Sequence, residues 1–239
     1  MEIVFLTVLT IVASAIGTLS GFGTSTIMVP ALGLVYPLTT TLLLVGIIHW
    51  FGNIWKLALF KKGIRWKFIL LFGIPGVIST YIGARFVFEI SAVLLSKLLG
   101  LFLLLYAAYL FINPTFRIPK SNKVSVVGGA LYGLSSGIFG VGGAIRGAFL
   151  SVFNLPKEVY IATSGAIGLA VDAARVGTYV VEGATLGRNL WLGLLIFIPA
   201  SFIGAKIAHR VVGKISQKGF RQVVAVFLAA VSLLMLFKK

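Results

Sequence analysis

The chain has 239 residues, of which 59% are hydrophobic and 11% charged, against about 25% charged in ordinary soluble domains, and its mean hydropathy is +1.08. Apolar runs recur along the whole length, which excludes a soluble globular domain with one anchor and indicates an integral membrane protein. The net charge of +16 sits between those runs, as positive-inside bias requires, so it does not indicate nucleic acid; contact with anionic lipid heads is a secondary use. With no cysteine and two separated histidines, His49 and His209, disulfides, thiolate chemistry and a histidine-rich metal site are excluded, and no cofactor is expected.

The first run, Ile3–Val35, opens without a basic leader and does not read as a cleaved signal. It is too long for one crossing of about 20 residues, and "GTLSGFGTSTIMVP" (Gly17–Pro30) breaks it near its middle. Three runs with the length and polarity of spanning helices follow: Thr40–Phe60, Phe68–Val87 and Val93–Ile112. The polar stretch "NPTFRIPKSNK" (Asn113–Lys123) then divides the chain into a first unit, 1–112, and a second, 124–239. The second unit begins with another long broken run, Val124–Phe153, which contains "GLSSGIFGVGGAIRGAFL". Three more spans complete it: Val159–Val181, Leu190–Ala208 and Val223–Phe237. No soluble domain is expected at either end.

The two units repeat. "GTLSGFG" from Gly17 matches "GLSSGIFG" from Gly133 with one insertion, and "IGAR" (Ile82–Arg85) matches "IGAK" (Ile203–Lys206). Placing Pro37 on Pro156 carries Asn53 onto Asp172 and Lys56 onto Arg175. Matches in the same order indicate an internal duplication.

Charge then chooses the topology. If both broken runs cross the membrane, the Lys and Arg outside the apolar segments divide ten against eight, with no bias. If each run dips in and returns, thirteen fall on one side (Lys61, Lys62, Arg65, Lys67, Arg117, Lys120, Lys123, Lys157, Lys206, Arg210, Lys214, Lys218, Arg221). Five fall opposite: Arg85, Lys97, Arg188, Lys238 and Lys239. The second arrangement obeys positive-inside bias. It predicts an all-α membrane protein of two inverted repeats, each with three spanning helices and one glycine-broken re-entrant helical hairpin. Both termini lie outside and the linker inside.

Such a hairpin must turn within the membrane, where non-helical backbone survives only if buried in protein or beside water. Glycine permits the turn, and half-helices meeting near the midplane can aim N–H groups at an anion. The alternative use of these glycines is close helix packing.

Arg146, Arg175 and Lys56 are cations inside apolar segments, and Asp172 is the one acid there. Intramembrane ionisable groups mark function, and guanidinium suits a pair of oxyanion oxygens. The structural alternatives are an Asp172–Arg175 ion pair one helical turn apart, and a Lys56 side chain snorkelling to the interface. The candidate substrate-binding set is Gly21, Gly23, Asn53, Lys56, Ser136, Gly140, Gly142, Gly143, Arg146 and Arg175. Asp172 and His49 are the candidate coupling groups. Asn53 also serves as helix glue, and His49 as an interhelical hydrogen bond, on the bland reading. The hydroxyls of Thr24, Ser25, Thr26, Ser135 and Ser136 either line the site or bond back to their own helix. Trp50, Trp55, Trp66 and Trp191 read as interfacial anchors.

The glycine-broken first segment, the "IGAR/IGAK" third segment and the two repeated halves resemble the sulfite exporter TauE/SafE family, also called TSUP permeases, over nearly the whole chain. The resemblance implies transport of a small sulfur-containing or organic anion, such as sulfite or a sulfonate, inward or outward. One departure is that the first half, "GFGTSTIMVP", carries fewer glycines than the second. A secondary transporter in the cell membrane is the reading these features favour, with alternating access around a midplane site. A passive anion channel suits the same cations. An intramembrane enzyme would need an activated nucleophile or a metal, and no such constellation is present. Partners are the small anion, the bilayer, and a coupling proton or sodium ion; a homodimer is allowed.

Overall fold

The helix that opens each half of this chain ends where a glycine takes the left-handed conformation. The computed structural model describes residues 1–60, 63–112, 119–211 and 217–237. Among them it is helical throughout, without strands. Helix α1 (Glu2–Ser20) stops at Gly21 (φ 73°), and the chain folds back at once through Gly23 (φ 88°) into the nine-residue α2 (Ser25–Gly33). Helix α3 (Leu38–Leu59) follows. The short α4 (Trp66–Phe68), a π-helical turn (Ile69–Gly73) and α5 (Ile74–Glu89) run on as one apolar rod, and α6 (Ala92–Ile112) closes the first half.

The second half repeats that order. Helix α7 (Asn122–Phe139) is capped by the Ser121 side chain, which accepts from Val124 N–H, and it stops at Gly140 (φ 66°). The nine-residue α8 (Gly143–Ser151), α9 (Lys157–Val181), α10 (Arg188–Val211) and α11 (Gln217–Phe237) complete it. Among the described residues, six helices are long and apolar enough to cross a membrane: α1, α3, the Trp66–Glu89 rod, α6 over Ala92–Tyr109, α9 and α10; Ala225–Phe237 is a shorter apolar helix.

Five of these match spans expected from the sequence. Helix α1 was not expected as a span: the turn at Gly21–Thr24 falls inside the expected Gly17–Pro30 break, but the arm before it has 19 continuous helical residues, a rod of about 28 Å. Glycine at position 17 does not end the helix because its missing side chain is used for packing; a Cβ there would lie 2.4 Å from the carbonyl carbon of Gly23 as α2 begins. Lys61, Lys62, linker residues 113–118, Lys214, Lys238 and Lys239, on which part of the charge count rests, lie outside the described residues.

Helices from one half pack on helices from the other. Helix α1 packs along α10, α5 along α7, α3 along α9, and α6 along α11. The α5–α7 pair meets backbone to backbone, since a Cβ at Gly133 would lie 2.0 Å from the Gly76 carbonyl; on α10, Gly204 meets the Ile11 carbonyl of α1 at 2.3 Å in the same way.

Contacts gather at two ends of the bundle. At one, the Tyr36 hydroxyl donates to Glu2, so the chain after α2 has returned to the start of α1. Burial and the Glu2 carboxylate push the Tyr36 phenol up to about 12, which keeps it a donor. A cavity at this end is lined by Tyr36, Pro37, Ala92, Lys97 and Met235. At the other end Phe68 packs on Phe153, Phe60 on His209, and the Thr163 hydroxyl accepts from Arg65 N–H. Phe149 of α8 lies against Gly128 of α7, so this hairpin too is folded back on itself.

Of the tryptophans expected as interfacial anchors, Trp66 and Trp191 have exposed faces. Trp55 is a correction. Its indole N–H donates to Ser201 Oγ at 3.0 Å, fastening α3 to α10, because a partly buried N–H needs a partner.

Candidate functional site

The two hairpin turns meet in the bundle interior. The carbonyl oxygen of Phe22 sits so close to the start of α8 that a Cβ at Gly143 would overlap it at 1.5 Å. Only glycine admits that approach. The turn at Gly140 is closed by its N–H, which donates to the Ser136 carbonyl at 2.9 Å, and by the Ser135 hydroxyl, which donates to the Val141 carbonyl at 2.5 Å. Tyr179 of α9 donates to the Gly137 carbonyl just before it.

Helices α3 and α9 cross this junction and bring their polar residues to it. Asn53 Nδ2 donates to Asp172 Oδ2 at 2.7 Å, so the two residues matched by the repeat touch each other. Asn53 Oδ1 accepts from Lys56 Nζ at 2.9 Å. Asp172 Oδ1 lies 2.8 Å from Arg175 Nη2, and Asp172 Oδ2 lies 2.8 Å from His49 Nδ1. Arg175 Nη1 donates to the Gly140 carbonyl at 2.8 Å, tying α9 to the second turn. Arg146 of α8 reaches the first turn: Nη2 donates to the Gly21 carbonyl at 3.3 Å, and Nη1 donates to the Tyr132 hydroxyl at 2.9 Å.

The cluster is sealed. Asn53, Arg146, Asp172 and Arg175 expose no surface, and Lys56 and His49 keep 2% and 4%. Lys56 therefore does not snorkel; its ammonium turns inward because the Asn53 amide offers an acceptor within one helical turn. Gly23 and Gly142 supply room, since a Cβ would lie 2.4 Å from His49 Nε2 at the first and 2.6 Å from the Tyr132 ring at the second. All twelve candidate residues thus fall on the two hairpins or on the helices α3 and α9 that cross between them. Of the hydroxyls, Thr26 bonds back to the Phe22 carbonyl at 2.9 Å, one turn earlier in the chain.

Two contributors were not singled out from sequence. Tyr132 holds Arg146, and Tyr179 holds the second turn. A tyrosine inside a spanning segment must place its hydroxyl on a partner, which is the signal by which sequence reading could have found them. The Phe22 carbonyl had no side-chain signal at all.

The electrostatics are one-sided. The junction holds two guanidinium groups, Arg146 and Arg175, and the Lys56 amine, against one acid among the described residues, Asp172. The carboxylate matches a single guanidinium. Buried charge left unmatched costs several kcal/mol. Moreover, Arg146 Nε and Arg175 Nε find no hydrogen-bond partner among the described residues. Buried donors on a surplus of positive charge are what an anion would satisfy.

A bundle of apolar, membrane-length helices that encloses this charge defines a multi-pass membrane protein of the transporter class. Comparison then gives the family: the model described as "Sulfite exporter TauE/SafE" matches residues 6–235, and the chain belongs to that family of membrane transporters. No curated protein and no solved structure matches it.

Proposed function

We propose that the chain is a secondary transporter of a small oxyanion, sulfite or a similar sulfonate, in the cell membrane, and that the anion binds between Arg146 and Arg175 where the two hairpin turns meet. The observation that carries this reading is the surplus of fully buried guanidinium over carboxylate at that junction. Removing an anion from water is costly. A site with fixed cations and unused Nε–H donors offsets that cost without reorganising.

In this reading residues 1–112 and 124–239 are two inverted repeats joined by a cytoplasmic linker. Each hairpin is re-entrant, entering from one face and returning to it, and both termini are outside. The folded-back hairpins and the pairing of helices across the halves support it. One bundle then rocks against the other around the fixed site, exposing it to each face in turn.

Labelled sulfite counterflow in proteoliposomes tests the function. Unlabelled sulfite inside the vesicle should accelerate entry of the label, as an alternating carrier requires. Flux without such acceleration would contradict alternation and point to an anion channel. The native chain lacks cysteine, so single cysteines at Lys123 and Lys157, which flank the second hairpin, test its topology. Labelling of both from the cytoplasmic face is expected; labelling from opposite faces would make α7–α8 a crossing.

A further inference from the structure

Asp172 serves two partners at once, Arg175 through Oδ1 and His49 through Oδ2. An ionised carboxylate only accepts hydrogen bonds, so the contact at 2.8 Å requires the proton of the neutral imidazole on Nδ1. The other ring nitrogen, Nε2, is then a lone pair. It is buried; neither ring nitrogen meets full hydrogen-bond geometry among the described residues, but Nδ1 has the Asp172 carboxylate at 2.8 Å and Nε2 has no polar partner. It faces the first hairpin turn at Gly23, within the junction where Arg146 also reaches the turn. A buried basic nitrogen left without a partner is costly as a structural device, because the same shape filled by an apolar ring would be cheaper. A group whose work is to gain and lose a proton must leave that position open.

We propose that His49 is the proton-carrying group of the transport cycle: Nε2 takes a proton from the buffered solution on the side the anion enters from, when that anion displaces Asp172 from Arg175, so that anion and proton move together. This rests on the anion-transport reading above. An anion bound to Arg175 takes over the guanidinium that balanced Asp172 Oδ1. The carboxylate would be left as an unmatched buried charge, which costs several kcal/mol. A proton on Nε2 converts His49 to imidazolium, still held 2.8 Å from Asp172 Oδ2, and restores the balance. Sulfite enters as a dianion: the proton on His49 offsets one of its charges, and the Arg146 guanidinium, unmatched in the empty cluster, offsets the other. The charged groups around the ring are Asp172 and Arg175 from α9 and Lys56 from its own helix, with Arg146 of α8 beyond them. Only Asp172 among these is negative, so the entering anion supplies the added negative charge that the second proton matches.

Calorimetric titration of the purified protein with sulfite, in buffers of different ionisation heat, counts protons taken up per anion bound. It is run above sulfite's own second ionisation so that the ligand contributes none. The wild type should take up about one proton per sulfite, and affinity should weaken as pH rises further. His49→Gln should bind sulfite with no proton uptake and with little pH dependence; His49→Asn gives the same reading if the first variant does not fold. Uptake unchanged in a folded variant, or binding by the wild type with no proton taken up, overturns the proposal alone. No sulfite binding by the wild type overturns the anion-site reading and this proposal with it.

Discussion

At the fourth position of the nine-residue hairpin helix the first half of the chain carries Met28, and the second half carries Arg146. On the crossing helix the first half carries His49, Asn53 and Lys56; the repeat places Gly168, Asp172 and Arg175 opposite them. The exchange at His49 and Gly168 is the most telling. A Cβ at Gly168 would lie 2.7 Å from Arg146 Nη1 and 2.6 Å from Asn53 Nδ2, so the absent side chain is the space the guanidinium occupies. In the first half the pattern is reversed: the ring of His49 fills the space, and Gly23 of the turn gives way to it. The same frame therefore holds a fixed cation from one half and a titratable ring from the other. The work is divided between the halves, with both guanidiniums from the second half and the amide, imidazole and ammonium from the first.

Substitutions that make the halves more alike or more different sharpen this comparison. The largest effect is expected from Arg175→Gln. It leaves Asp172 without its cation and the Gly140 carbonyl without its donor, so it should destabilise the protein by about 3–5 kcal/mol, read as a fall in melting temperature, and abolish sulfite binding. A smaller effect is expected from Asn53→Asp, which gives the first half the acid of its counterpart. A second carboxylate beside Asp172 competes with the anion for the cations, and sulfite binding should weaken by about 1–3 kcal/mol, from about fivefold to about 150-fold. If Asn53→Asp bound sulfite as tightly as the wild type, Asn53 would lie away from the anion. The smallest is Arg85→Ala. Arg85 pairs with Glu182 at 3.0 Å, but its side chain is 52% exposed, and exposed pairs contribute about 0–1 kcal/mol. Its Lys206 counterpart instead faces the Phe202 ring. Transport in Arg85→Ala should stay within about fivefold of the wild type by the same arithmetic; a loss as large as that of Arg175→Gln would make this pair part of the mechanism.

Much of the frame was legible in the residues. The limits of α3, α6, α9 and α10 and of the Trp66–Glu89 rod follow from apolar length, and the offset that pairs Asn53 with Asp172 predicted neighbours that do touch. Gly21 and Gly140 stood out as turn positions because left-handed backbone needs glycine there. Other features were hidden for physical reasons. Gly17 opens the glycine-broken stretch by composition but acts as a packing surface within α1, so the first arm of the hairpin is longer than that stretch suggests. The direction of Lys56 depends on whether an acceptor lies within reach, which spacing alone does not give. The Phe22 carbonyl at the start of α8 belongs to the backbone, and sequence carries no mark of where a backbone oxygen points.

The central claim is that Arg146 makes the junction of the two turns an anion site. The direct measurement is calorimetric binding of sulfite to Arg146→Met, which places at this position the residue the first half carries. The variant exchanges an unmatched buried cation for an apolar side chain, so it should fold and melt at or above the wild-type temperature. Its sulfite affinity should fall by about 2–5 kcal/mol, from about thirtyfold to several thousandfold. A folded Arg146→Met that binds sulfite as tightly as the wild type would contradict the account.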